Sequence, residues 1–358
     1  MLHIKAIFLI LLSIPLHIAA QRNVDLDRFY FTVQMRSLPR VYLDSTYRTY
    51  NIVTDGTGFM KPFVKDLAPE NMVHLDGWKR LASNGHITLH VRLDDLLPES
   101  FTVKERTESI KDRNGRITGT RSFYSQEIIY TFSANVRIAD HKGMPVSEWT
   151  LADRNHRQTY RSPEFQLRQM AEAYFLMNSI KITQELYRTA VTRAMRTLDD
   201  RADNEFGYGI IYPREHLWIV GSRKHAEYDL QRSNVEAINT LLFKMNANDA
   251  IDPIRKEIQP YLAYFENIPK IYSSGSKHDR KMRYAAYYNL SVLHYYLDHP
   301  QEMMKYAGAL VLNDFDARDG RTLQQSAQRL REQFQQLNVQ SRHFRIDTSL
   351  YKGPDEPM

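Results

Sequence analysis

At 358 residues, 42% hydrophobic and 25% charged, the chain is long enough for two domains with conventional cores. It contains no cysteine, which excludes a disulfide framework, a thiolate metal site and a cysteine nucleophile, so its stability must come from packing. A formal charge of +6, from 48 basic and 42 acidic residues, is a modest excess that could favour an anionic envelope polysaccharide or simply form a solvated basic surface.

The first twenty residues have the organisation of a secretory signal: Lys5 in a short basic start, an apolar run from Ala6 to Leu16, then Ile18-Ala19-Ala20 before Gln21. The run is shorter than the roughly 20 apolar residues of a membrane span, and Pro15 interrupts it. Cleavage after Ala20 predicts a soluble, exported protein, periplasmic or extracellular, with no transmembrane segment. Export in turn argues against nucleic acid as a partner.

From Gln21 to about Tyr160 the pattern is that of short strands broken by turn residues. Phe29–Met35 and Ile87–Leu93 alternate as strands do, and each leads to a Leu-Pro pair, Leu38-Pro39 and Leu97-Pro98. Asn114-Gly115 tolerates the positive φ angles of a two-residue hairpin turn and should join strands over 101–111 and 116–123. One long strand is predicted from Glu127 to Ala139. The Asp140-His141-Lys142-Gly143 turn then returns the chain through Val146 to Trp149. This succession predicts an antiparallel β-sandwich-like domain over 21–160.

Ser162-Pro163-Glu164 has the chemistry of a helix start, a capping serine followed by proline at the first helical position, and the domain boundary is placed between Tyr160 and Pro163. Leu167, Met170, Tyr174, Met177, Ile180, Ile182, Leu186, Ala190, Ala194 and Leu198 predict one buried stripe on a long helix. Segments 206–213 and 216–220 look extended and predict a small β-hairpin inserted near 205–221. Helical patterns resume over 234–245, 253–272 with a break at Pro260, 283–314 and 322–337. The helical domain is thus predicted over 161–339, with a flexible tail over 340–358.

Within it, Tyr287, Leu290, Ser291 and Tyr295 share one side of a helix, with small Ser291 leaving room for a neighbouring backbone. Asp298-His299-Pro300 interrupts the run, and Met303, Tyr306, Ala307 and Leu310 form the stripe of a second helix. This hairpin, about a tenth of the chain, resembles a tetratricopeptide repeat. The resemblance implies a helical array whose first helices line a concave groove, placing Tyr288, Val292, Tyr295 and Tyr296 toward a protein ligand. His294 stands where that family usually has an aromatic, and the family's peptide-carboxylate clamp is not matched at Tyr288 and Val292.

Chemical motifs are few. His86 and His90 lie on a predicted strand, roughly 13 Å apart, too far to share a metal. Asp314, Asp316, Asp319 and Gly320 suggest a calcium loop, but Arg318 and Gln325 fall where carboxylates are needed, which leaves an interhelical loop. Asn289-Leu290-Ser291 is a glycosylation sequon inside a predicted helix, and Arg223–Tyr228 is a basic, aromatic stretch that could meet an acidic partner. There is no nucleophile elbow and no phosphate-binding glycine loop, and no cofactor is implied. The expectation is a non-catalytic exported scaffold that binds an envelope or secreted protein. The alternatives are a carbohydrate-binding β domain and a hydrolase assembled from scattered carboxylates.

Overall fold

The computed structural model describes residues 24–356, so the predicted signal over 1–20 lies outside the described residues. The fold is mixed α+β, with sheets toward the N-terminus and helices toward the C-terminus. The strands are β1 (Leu26–Thr32), β2 (Met35–Arg36), β3 (Thr49–Gly56), β4 (Lys79–Arg80), β5 (Ile87–Leu93), β6 (Leu97–Lys111), β7 (Ile117–Thr131), β8 (Ala134–Asp140), β9 (Pro145–Ala152), β10 (Gln158–Arg161), β11 (Ile210–Ile211) and β12 (Arg214–Val220). The helices are α1 (Met60–Leu67), α2 (Arg168–Phe206), α3 (Tyr228–Phe243), α4 (Asp252–Glu257), α5 (Gln259–Ile271), α6 (Lys277–Tyr296), α7 (Pro300–Leu312) and α8 (Ala317–Leu337). Among the described residues, no helix is long and apolar enough to cross a membrane.

The chain divides into two compact units, but not at the expected boundary near residue 160. Among the described residues, one unit is built from 24–35, Tyr212–Gln335 and Val339–His343; the other holds Arg36–Ile211, Gln336–Asn338 and 344–356. The first strand therefore belongs with the helices, and the long helix α2 with the sheets. The reason is pairing: β12 does not fold back as a local hairpin but runs antiparallel to β1, from Leu26 opposite Val220 to Thr32 opposite Arg214.

In the helical unit, this ribbon packs on α3 and α6. Its core joins Phe31, Leu217 and Ile219 to Val235, Leu262, Phe265, Leu290 and Leu293. Two buried amides complete the backbone bonding of β12. Asn289 accepts from the Trp218 N–H at 2.7 Å and donates to the Trp218 carbonyl at 2.8 Å, while Gln231 accepts from the Val220 N–H at 2.5 Å. An unpaired buried N–H would cost about 1–3 kcal/mol, which explains why polar residues occupy this core. It also removes the sequon asparagine from reach, since Asn289 is fully buried.

In the sheet unit, a five-stranded sheet runs β4-β3-β5-β8-β9 and a three-stranded antiparallel sheet runs β10-β7-β6. The expected all-antiparallel sandwich is corrected here, because β3 is parallel to both β4 and β5. The α1 segment supplies the crossover that a parallel pair requires. The single strand expected over 127–139 is two: the chain leaves one sheet after Thr131 and enters the other at Ala134, where Ser133 O accepts from Asp94 N at 3.0 Å. Tyr130, Phe132, Trp149, Met195, Leu198 and Phe206 are buried, and α2 packs against both β7 and β9.

The Asn114-Gly115 hairpin forms with a longer turn than expected. Asp112 N donates to Arg116 O at 2.9 Å, Asp112 Oδ1 accepts from the Asn114 and Arg116 N–H groups, and Gly115 takes φ +79°. Asp140–Met144 repeats the device, with Gly143 at φ +81°. In each, three loop residues end in a left-handed glycine, and the leading aspartate holds the loop amides.

Gly85 sets the entry to β5. A methyl there would lie 2.6 Å from the Tyr50 Cα and carbonyl carbon, so backbone would have to move. Gly85→Ala is expected to cost about 2 kcal/mol, measured as a lower urea midpoint with unchanged m-value.

The helix start expected at Ser162 is displaced to Arg168. Residues 162 and 165 instead bond to β7: Ser162 N to Gln126 O at 2.9 Å, and Phe165 and Tyr124 to each other at 2.8 Å. The Ser162 hydroxyl accepts from Gln126 N, so it is not a helix cap. The tail expected to be flexible is packed as well, with Arg342 and His343 buried and Tyr351 O accepting from Lys79 Nζ at 2.7 Å.

Candidate functional site

The four residues expected to face a ligand lie on α6, but the chain itself covers that face. Val292 and Tyr296 are buried, and Tyr288 and Tyr295 are half-buried. The Tyr296 ring meets Phe31 of β1 edge-on at 5.4 Å, and Tyr288 stands 5.3 Å from His216 and 6.1 Å from Trp218 of β12. Tyr295 lies under the Arg342 guanidinium at 4.3 Å. Burial pushes the Tyr288 and Tyr296 hydroxyls above their usual range, as expected of phenols in a core. An outside protein would have to displace the β1–β12 ribbon to reach Tyr288 and Tyr296, and Arg342 to reach the face of Tyr295 it covers.

The open apolar surface is on α2 instead. Its second half is buried as expected, through Ile182, Ala190, Ala194 and Leu198. Its first half is not: Leu167, Met170, Met177 and Ile180, all expected in the buried stripe, are exposed, with Met177 at 84% and Ile180 at 76%. Two faces of this half are apolar. Ala171, Phe175 and Ile182 turn inward, where Phe175 meets Phe101 of β6 at 5.2 Å, and Tyr174 meets Phe165 at 5.3 Å. Met170, Ala173, Met177 and Ile180 repeat at three- and four-residue steps on the outer side, which is the spacing of a helix-pairing seam. Sequence periodicity found the apolar positions but merged two stripes into one.

Leu176 and Ile180 lead, at the same helical spacing, to Thr183 and Tyr187, which line a cleft of about 550 Å3. Phe59, Phe63, Phe101 and Leu186 form its apolar walls. Phe63 stacks on Tyr187 at 4.5 Å, and the Tyr187 hydroxyl lies 3.5 Å from Asp95 Oδ1, which also accepts from Met60 N at 2.7 Å. Burial, and then the Asp95 charge, raises the Tyr187 pKa. The cleft therefore offers a large apolar volume and one polar end, the usual makeup of a site that receives an apolar side chain or small ligand.

The metal and calcium readings gain nothing from the coordinates. His86 pairs with His141, at 5.8 Å between ring centres, and not with His90. Asp319 lies within α8 and accepts from the Tyr284 hydroxyl at 2.7 Å. Among the described residues, no group of three or more histidines or acids is placed to hold a metal ion. The Arg223–Tyr228 stretch turns inward in part: His225 is buried, stacked on His278 at 5.5 Å, and Glu227 accepts from the Tyr264 hydroxyl at 2.8 Å.

Compared with protein-family models and with curated proteins, the chain matches none.

Proposed function

We propose that this protein is a non-catalytic, exported scaffold that binds another envelope or secreted protein through the outer stripe of α2 and the adjoining aromatic cleft. The observation that carries this reading is the run of exposed Met170, Met177 and Ile180 beside Leu176, leading into the cleft of about 550 Å3. A helix with apolar side chains on two opposite faces needs cover on both, and its own chain supplies one. The fitting occupant is an amphipathic helix of a partner, whose knobs would seat between α2 residues three and four apart while one large side chain enters the cleft. The α6–α7 hairpin retains its tetratricopeptide-like reading as the rigid part of the helical unit, supported by buried Ser291, Leu290, Ala307 and Leu310, and not as the binding groove. Export rests on the signal-like first twenty residues.

The test is a photo-crosslinking residue placed at Met177 in the native cell, followed by mass spectrometry. The expected result is a discrete crosslinked protein whose yield falls at least about tenfold when Ile180→Glu is added, with the melting temperature unchanged because the side chain is exposed. Crosslinks to a second copy alone, or none in a folded protein, would overturn the reading.

A further inference from the structure

A second cleft in the sheet unit, independent of the α2 stripe, has a different chemistry. It measures about 470 Å3 and lies between the Asp44–Arg48 loop, the His141-Lys142 turn and the C-terminal segment from Leu350. Three aromatic groups meet in it: the Tyr47 ring is 5.1 Å from both His86 and His141, and the two imidazoles are 5.8 Å apart. Two are held from behind: Thr49 Oγ1 sits 2.7 Å from His86 Nδ1, and Asp140 Oδ2 lies 3.4 Å from the Tyr47 hydroxyl, while the His141 backbone N–H donates to His86 O at 2.9 Å. Gly85, which tolerates no side chain, fixes where His86 begins.

Arg48, Lys142 and Lys352 add three fixed positive charges to the lining, against Asp44 and Glu356. We propose that this cleft binds an acidic saccharide, its carboxylate in the corner of His86, His141 and Lys142 and its hydroxyls toward Asp44 and Glu356. The volume suits one or two sugar rings, and aromatic and imidazole faces beside charged rims give a sugar both an apolar contact and hydrogen-bond partners. The saccharide fits better than a bare anion because the lining carries carboxylates as well as cations.

A pH dependence follows. Burial, then the neighbouring His141 and Arg48, holds the His86 pKa below the usual histidine value, and Asp44 offsets this only in part. The groups around it are Tyr47, Asp44 and Arg48 on the loop, Asp140, His141 and Lys142 at the turn, and Tyr351, Lys352 and Glu356 on the C-terminal segment. A carboxylate seated there favours the imidazolium, so binding takes up a proton and tightens as pH falls.

The experiment is calorimetry and histidine NMR on the full chain, with glucuronic acid, glucose and inorganic phosphate as probes at pH 6 and pH 8. Glucuronic acid is expected to shift the His86 and His141 ring signals and to bind at least about threefold tighter at pH 6. Glucose and phosphate are expected to do neither. In the exposed turn, His141→Ala with Lys142→Ala should remove binding without lowering the melting temperature. Absence of glucuronic acid binding, phosphate binding of equal strength, or full binding by the folded double variant would each overturn the proposal.

Discussion

Replacing Arg342 by methionine is expected to lower the stability of the protein by about 3–5 kcal/mol, because it strands a carboxylate in the core of the helical unit. Asp298 is fully buried and Arg342 is 4% exposed. The carboxylate accepts from Arg342 Nε at 2.6 Å, Arg342 N at 2.7 Å and the Ser341 hydroxyl at 2.9 Å. The guanidinium also donates to Tyr295 O, which ties it to the last turn of α6. Burial works against the Arg342 charge, but Asp298 and Tyr295 together outweigh it and raise the pKa above the usual arginine value. Asp298 sits just past that helix at φ +58°, a conformation aspartate adopts more readily than branched residues do. Equilibrium urea unfolding measures the loss. Asp298→Asn combined with Arg342→Met should be more stable than Arg342→Met alone, since the unpaired charge is then gone. A loss below about 1 kcal/mol in Arg342→Met would show that the pair is dispensable.

Acid should cost this protein a further increment through one imidazole. His294 is buried in α6, stacked on Tyr306 at 5.4 Å, and neither ring nitrogen has a hydrogen-bond partner among the described residues. Burial, reinforced by nearby His299, lowers its pKa from 6.5 to about 4, with Glu302 and Glu266 opposing and Lys305 assisting. Above the unfolded value both states are neutral and the ring contributes no pH dependence. Between about 6.5 and 4 the unfolded chain binds a proton that the folded chain refuses, so stability falls as pH falls. At about 1.4 kcal/mol per pKa unit, the loss approaches 3 kcal/mol by pH 4. His294→Phe keeps an aromatic ring on Tyr306 and should remove that part of the slope. Urea midpoints at pH 7 and 4.5 for both proteins provide the measurement, and parallel pH dependences would refute the assignment.

Both predictions concern residues whose importance the sequence conceals. Helices were legible wherever one apolar face repeats, as in α3, α5, α6 and α7, because that period depends on local geometry alone. The aspartate-glycine turns were legible for the same reason, although their length was set by the side chain of the leading aspartate. Arg342 was not legible: it lies in a polar stretch, and its burial depends on Asp298, forty-four positions upstream in the chain. Nor was the partner of β1, since nothing local in Leu26–Thr32 points to residues 214–220. The α2 stripe failed differently. Apolar spacing identifies a face, and only the packed structure tells whether the chain or something else covers it.

The ribbon of β1 and β12 has a consequence for how the molecule is made. Its second strand, from Arg214, is made long after its first, which ends at Thr32, and the amide that completes the second strand's bonding comes from Asn289. A chain made from its N-terminus must therefore carry β1 unpaired until Arg214–Val220 and Asn289 have followed. The helical unit cannot close before then, and assistance that shields Phe29–Thr32 in the interval should raise the yield of native protein.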